Sequence, residues 1–183
     1  MLADQSVRRY TKAAAMRVYV PLTLPALAEA HRAGELGAGM IEAYAVTPGL
    51  REWYLSEHVE ELEYAALSRA AQASLRLLAG EPDAARRRVV LAVEAPEGTA
   101  VADPERGLDP AALGEVRIAG PVALTEAAAV HVDAEEAAAD VAAAADALGA
   151  ADQGDEDAQF TVEGAEAHEL LWFAVQEVPG LIG

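Results

Sequence analysis

His58, Glu61 and Tyr64 stand three residues apart in a segment of helical periodicity, which would bring an imidazole, a carboxylate and a phenol onto one helix face. Such a trio could ligate a metal or move a proton, and it could equally be the polar face of an amphipathic helix. His131 and Asp133 flank Val132 in a short β-branched run, where strand alternation sends both side chains the same way. An imidazole next to a carboxylate at a strand end can be tuned for proton transfer. The alternative gives Asp133 a structural role, as the cap of the alanine-rich segment that follows, in a capping box with Glu136. Arg86, Arg87 and Arg88 form the densest basic cluster and could hold a phosphate or carboxylate through bidentate contacts. They could also pair with the chain's own carboxylates or cap helix carbonyls. Tyr44, Trp53 and Tyr54, together with Tyr19 and Trp172, carry most of the aromatic mass and suit a core or the wall of a pocket.

Other chemistries lack their signatures. There is no P-loop, no GxGxxG after a strand, no HExxH and no GxSxG. Asp152, Asp155, Glu156 and Asp157 are rich in oxygen ligands, but the alternating Asp, central Gly and terminal Glu of a calcium loop are missing. The chain has no cysteine, which removes disulfides, zinc–thiolate sites and thiol nucleophiles together. Neither a metal nor a cofactor is expected.

Charge narrows the partners. The chain of 183 residues has a formal net charge of −18, and its last Lys or Arg is Arg117. Beyond it stand 14 Asp and Glu and no Lys or Arg, so the C-terminal third is electrostatically unlike the rest. Such a surface repels phosphate backbones, which argues against nucleic acid as a partner. With no run of 18 apolar residues, membrane insertion is not expected either, and a cytoplasmic location is. The partner is then an unknown protein or small molecule.

These groups need elements to hold them. Residues 1–15 show neither helical nor strand period and read as a disordered extension; a basic arm is the competing reading. From Met16 the pattern gives a strand at Arg17–Val20 and a short helix after Thr23 and Pro25. It then gives a strand over Glu42–Val46 and a helical turn after Thr47-Pro48. Glu57–Ala79 predicts a long helix of about 35 Å, with its apolar stripe on Val59, Leu62, Ala66, Ala70, Ala73 and Leu77. Val89–Val93 is apolar at every position and predicts a central strand covered on both faces. Glu115–Ile118 reads as an edge strand, Val130–Val132 as a short one, Ala134–Leu148 as a helix and Leu170–Val175 as a last strand. Residues 149–158 read as a flexible acidic connector. The expectation is one α+β domain over residues 16–183, a single mixed sheet of about five to six strands with one long and two shorter helices packed on it.

Six runs carry a resemblance: MRVYVPLTLPAL from Met16, AYAVTPGLREWY from Ala43, EELEYAALSRAAQASLRLLAG from Glu60, RRRVVLAVEAP from Arg86, AAVHVD from Ala128 and LLWFAVQEV from Leu170. As a set they resemble an actinobacterial family of unknown function. The resemblance implies a cytoplasmic actinobacterial protein, and it implies no activity, cofactor or catalytic residue.

Two functions stay open on the sequence. One is a non-catalytic binding or regulatory module acting through protein or small-ligand contacts. The other is a small-molecule enzyme that uses His131 and Asp133, or His58, Glu61 and Tyr64, with an arginine holding an anionic substrate.

Overall fold

The apolar run at Val89–Val93 lies at the middle of the molecule, buried along its whole length. In the computed structural model, which describes residues 15–107 and 109–183, it belongs to strand β4 (Val89–Pro96). The other elements in chain order are β1 (Ala15–Leu22), α1 (Leu24–Ala33), β2 (Glu35–Leu36), β3 (Met40–Ala45), α2 (Pro48–Tyr54) and α3 (Val59–Gly80). After β4 come β5 (Glu115–Ala119), β6 (Val122–Ala123), β7 (Ala127–Val132), α4 (Ala138–Asp152), α5 (Glu156–Glu166), β8 (Leu171–Phe173) and α6 (Val178–Ile182).

Six strands form one sheet in the order β5-β3-β1-β4-β7-β8, and β2 pairs with β6 in a separate ribbon. The α+β class and the single large sheet agree with the sequence. The pairings differ from a mixed sheet in being antiparallel throughout. The register Val18↔Val93, Val20↔Leu91 and Leu91↔Val130 aligns branched apolar side chains of three strands on one face. That face packs against Leu27 of α1, Val178 of α6 and the β2–β6 ribbon. The opposite face carries Tyr19, Val90, Ala92 and Ala129 and packs against α2 and α3.

Local chemistry explains most boundaries. Thr23 caps α1 by accepting from the Ala26 N–H at 3.4 Å, and Gly34 ends the helix in the left-handed region at φ 76°. Thr47 caps α2 through the Leu50 N–H at 3.1 Å, with Pro48 at the first helical position. Pro21 does not stop β1, which runs to Leu22. The last β3 pairing is at Tyr19, so β1 has no neighbour on that side where the proline sits, and proline is tolerated at such an edge. Ser74, fully buried on α3, donates to the Leu22 carbonyl at 2.7 Å and accepts from the Val89 N–H at 2.9 Å, tying the helix to β1 and β4.

The buried face of α3 is turned from the expected stripe. Leu62, Ala66 and Ala70 are buried as expected, but the stripe ends on Leu75 and Leu78, while Leu77 and Val59 are exposed. Leu75 and Leu78 pack with Val141, Ala144 and Leu148 of α4 and Ala165 of α5, a third apolar cluster beyond the sheet. The acidic segment read as a connector is mostly helical: α4 runs through Asp152 and α5 begins at Glu156. Asp155 caps α5 by accepting from the Ala158 N–H at 2.9 Å, and Asp152 pairs with both Nη atoms of Arg76 at 2.8 Å. Ala15 opens β1; the rest of the expected N-terminal extension lies outside the described residues.

Candidate functional site

A sheet of six strands measures about 24 Å between its outer strands at the usual spacing, whereas a helix with its side chains is about 10 Å wide. One long helix cannot cover it. α3 lies over β1, β3 and β4, so β8 and the His131 position of β7 are left uncovered beside it, and the gap is a groove of ≈ 440 Å³. One wall is the α3 row Tyr64, Leu67, Ser68, Ala71 and Gln72, which helical steps of three and four bring onto one side. The other wall follows from strand register: His131 pairs across from Trp172, so imidazole and indole stand side by side on the α3 face. The end of α5 and the turn after it close the groove with Glu166, His168, Glu169 and Leu170, and Arg88 lies at its base.

The environment of these groups is uneven. Trp172 and Tyr64 are 62% and 56% exposed. Burial pulls the His131 imidazole below its ordinary pKa, and the Arg17 charge adds to the effect, so the ring is neutral at neutral pH. Tyr19 is buried with its ring 6.4 Å from that of His131, and burial pushes its phenol up to about 12. Burial also pushes the Glu166 carboxyl up, against the opposing attraction of Arg88. Glu166 has no hydrogen-bond or ion-pair partner among the described residues, although its side chain is not enclosed. The His168 ring nitrogen Nε2 lies 2.7 Å from Asp140 Oδ2, which ties the turn after α5 to α4.

Asp133 lies outside this open chemistry. It is fully buried, and its carboxylate accepts from the Arg88 backbone N–H at 2.8 Å, Nε at 2.8 Å and Nη2 at 2.7 Å. Arg88 is 2% exposed, and its Nη2 also donates to the His168 carbonyl at 2.9 Å. With its lone pairs so used, Asp133 does not serve His131, and it does not cap the following helix. That segment starts instead as a 3-10 turn at Glu135–Ala137, with Ala134 at the cap position.

The other sequence candidates separate. His58 occupies the cap position of α3, before the helical spacing begins, and its backbone N–H donates to Ser56 Oγ at 3.1 Å. Glu61 accepts from the Ser56 hydroxyl at 3.0 Å, while Tyr64 turns into the groove and donates to Glu169 Oε1 at 3.4 Å. The trio therefore does not converge, and among the described residues no group of three or more His, Asp or Glu is placed to hold a metal. Arg86 caps the end of α3, donating to the carbonyls of Leu78, Ala84 and Glu81, and Arg87 donates to the Asp133 carbonyl at 2.9 Å. All three arginines of the run are thus engaged within the fold. Tyr44 is half-buried against the α3-side core, where burial raises its phenol pKa, while Trp53 and Tyr54 are exposed on α2.

Glu166, His168 and Glu169 were not among the candidates that the sequence offered, and Trp172 was among the aromatics suited to a core or the wall of a pocket. An acidic, turn-rich stretch hid α5, and with it the helix end that delivers Glu166. Core and pocket wall were both open for Trp172; its position across from His131 on the last strand puts it on the wall of the groove.

A larger cleft of ≈ 640 Å³ lies at the other end of the sheet, bounded by Met40, Pro48, Val101, Arg106 and Arg117. Its arginines are paired, Arg106 with Asp109 and Glu115 at 3.5 and 3.6 Å and Arg117 with Glu42 at 3.9 Å. No imidazole enters it, and of its two carboxylates Glu115 faces Arg106 while Asp103 accepts from the Glu105 backbone N–H at 2.9 Å, so the smaller groove holds the more varied chemistry.

Among the described residues no helix is long and apolar enough to cross a membrane. No curated protein and no solved structure matches the chain. A family model does match, over residues 16–182, and the chain accordingly belongs to that family, DUF6912, a family of unknown function.

Proposed function

We propose that the protein is a non-catalytic cytoplasmic module that binds a small molecule in the groove between α3 and β8. The observation that carries this reading is the convergence of exposed Trp172 and Tyr64 with His131 and Glu166 around ≈ 440 Å³, a size suited to a small ligand. The locked Arg88–Asp133 pair supports a binding role, because it removes the carboxylate that would orient His131 in an acid–base dyad. An actinobacterial setting belongs to the same proposal and accords with a single lysine among 13 basic residues.

The test uses Trp53→Phe, which leaves Trp172 as the sole tryptophan. A ligand from a metabolite library should shift Trp172 emission and raise the melting temperature with concentration, by linkage. Ser68→Phe, which fills the groove from α3, should abolish both effects. A ligand that stabilises the parent and the Ser68→Phe variant equally would place binding elsewhere and overturn the reading.

One observation favours a second reading, an acid–base enzyme in the same groove: the His131 pKa is lowered and the Glu166 pKa raised, the pattern that separates a base from an acid. Turnover that survives repurification and is lost in His131→Gln would establish it. The anionic substrate expected for such an enzyme finds no free guanidinium here, since Arg88 is committed to Asp133.

A further inference from the structure

We infer that the ligand of this groove is a small organic ammonium, with its cationic head between Glu166 and Glu169 and its apolar body against Trp172 and Tyr64. The inference rests on the binding reading above and adds the charge of the ligand. It follows from accounting for each charged group at the site.

The base of the groove is electrically closed. Arg88 meets the Asp133 carboxylate through two side-chain nitrogens, and its side chain is only 3% exposed, so its charge is offset at contact distance. His131 contributes no positive charge at neutral pH, because burial and the Arg17 charge both disfavour its protonation. His168 faces Asp140. What remains on the open side is negative. Glu166 has no partner among the described residues, and Glu169 has only the Tyr64 hydroxyl at 3.4 Å.

The surroundings reinforce this sign. The chain from Ile118 onward, which supplies β7, β8 and the turn after α5, has 14 acidic residues and no Lys or Arg. A concave site with low-dielectric walls concentrates such a field. An anion entering the groove would meet two carboxylates and no free cation. A neutral apolar body would cover Glu166 without compensating its charge, which is unfavourable. An ammonium satisfies the carboxylate and is also attracted to the faces of indole and phenol, which carry the negative side of the ring quadrupole. The two exposed aromatics and the unpaired carboxylate thus ask for the same ligand chemistry.

Three probes with one aromatic body and three charges test this: 2-phenylethylammonium, 2-phenylethanol and phenylacetate. Each is titrated into the Trp53→Phe protein and read by Trp172 emission. Fragments of this size should bind at about 10 mM or tighter. The ammonium should bind about tenfold more tightly than the alcohol, with phenylacetate weakest, and the preference should shrink with added salt. In Glu166→Gln with Glu169→Gln, the ammonium should fall to the level of the alcohol while the alcohol itself is unchanged. If the alcohol or phenylacetate binds as tightly as the ammonium, or if the preference survives the double variant, the ligand is not a cation; the groove reading is then untouched. If none of the three perturbs Trp172 at about 100 mM, well above the affinity such fragments reach, the groove reading fails and this inference with it.

Discussion

At the β5 end of the sheet the chain covers its own face. α2 brings Leu50 over the sheet, and the turn at Pro110–Ala112 adds Leu113. Arg69 of α3 fastens that turn through the carbonyls of Leu113 and Ala111 at 3.3 and 2.8 Å. Even the outer edge of β5 is partly paired, by Val101 against Arg117. At the β8 end the strand is three residues long, and no described helix lies over His131 and Trp172. Both ends face the same problem, a sheet wider than one helix, and only one end solves it with chain. The uncovered end holds an exposed indole, a neutral imidazole and the Glu166 carboxylate. A fold that leaves such groups open while burying alanines elsewhere has placed its apolar cover at β5 and left the β8 face open.

The comparison breaks first at Asp133, which sits beneath the open end yet belongs to the rigid part. Asp133→Ala leaves a guanidinium that is 2% exposed without its counter-charge and should destabilise the fold by about 3–5 kcal/mol in urea unfolding. Arg88→Met combined with Asp133→Leu should recover most of that loss, because it is the orphaned charge that is costly. A loss under about 1 kcal/mol in the single variant would mean that the base of the groove is soft, and the rigid-base account of the open end would not stand.

The covered end should answer differently. A Cβ on Gly49 would come 2.1 Å from the Gly107 carbonyl oxygen, so Gly49→Ala must push the 101–107 loop away from α2. The expected loss is about 1–3 kcal/mol, typical of forced overpacking. Groove affinity, read by Trp172 emission, should stay unchanged, since the two ends share no partner and distant sites are additive. A change in affinity would couple the ends and blur the distinction between them. Trp172→Ala is the converse: with the indole 62% exposed, unfolding free energy should move by less than about 1 kcal/mol, while the ligand-dependent rise in melting temperature disappears.

Periodicity made much of the scaffold legible. β4 announces itself because a strand buried on both faces must be apolar at every position. Thr23-Leu24-Pro25 and Thr47-Pro48 mark helix starts because the cap and the proline each solve a backbone problem locally. Glu115–Ile118 was readable as an edge because its alternation leaves one face polar. What stayed hidden was decided by tertiary partners. Asp133 has the local grammar of a helix cap, but a buried guanidinium 45 residues earlier outbids the backbone for it. α5 has no strong apolar stripe, since Ala165 is its one buried residue, so its acidic composition read as a connector. Glu166 could not be placed in a site before the helix that carries it was known. Trp172 could be named, but whether an aromatic faces core or solvent depends on what covers its strand.

The smallest expected effect tests whether Glu166 is truly without a partner. Its pKa is raised in the fold by burial, so the folded state holds its proton more tightly than the unfolded chain. That contribution is fully present below the ordinary value of 4.5 and is lost as pH rises through the folded value. At neutral pH the ionised carboxylate therefore opposes folding, and Glu166→Gln should stabilise. Because the side chain is largely open to solvent, screening limits the gain to roughly a few tenths of a kcal/mol. His131 has the opposite sign: its lowered pKa gives stability that is full above 6.5 and declines as pH falls below it. Unfolding free energies measured from pH 4 to 8 for the parent, Glu166→Gln and His131→Gln separate the two, because each difference curve cancels the titration of the other acids. The Glu166→Gln gain should vanish toward pH 4, while the His131→Gln difference should change only below about pH 6.5. If Glu166→Gln instead destabilises at neutral pH, the carboxylate has a stabilising partner after all, and the open end of the sheet has lost one of the two charges that would draw a cation to it.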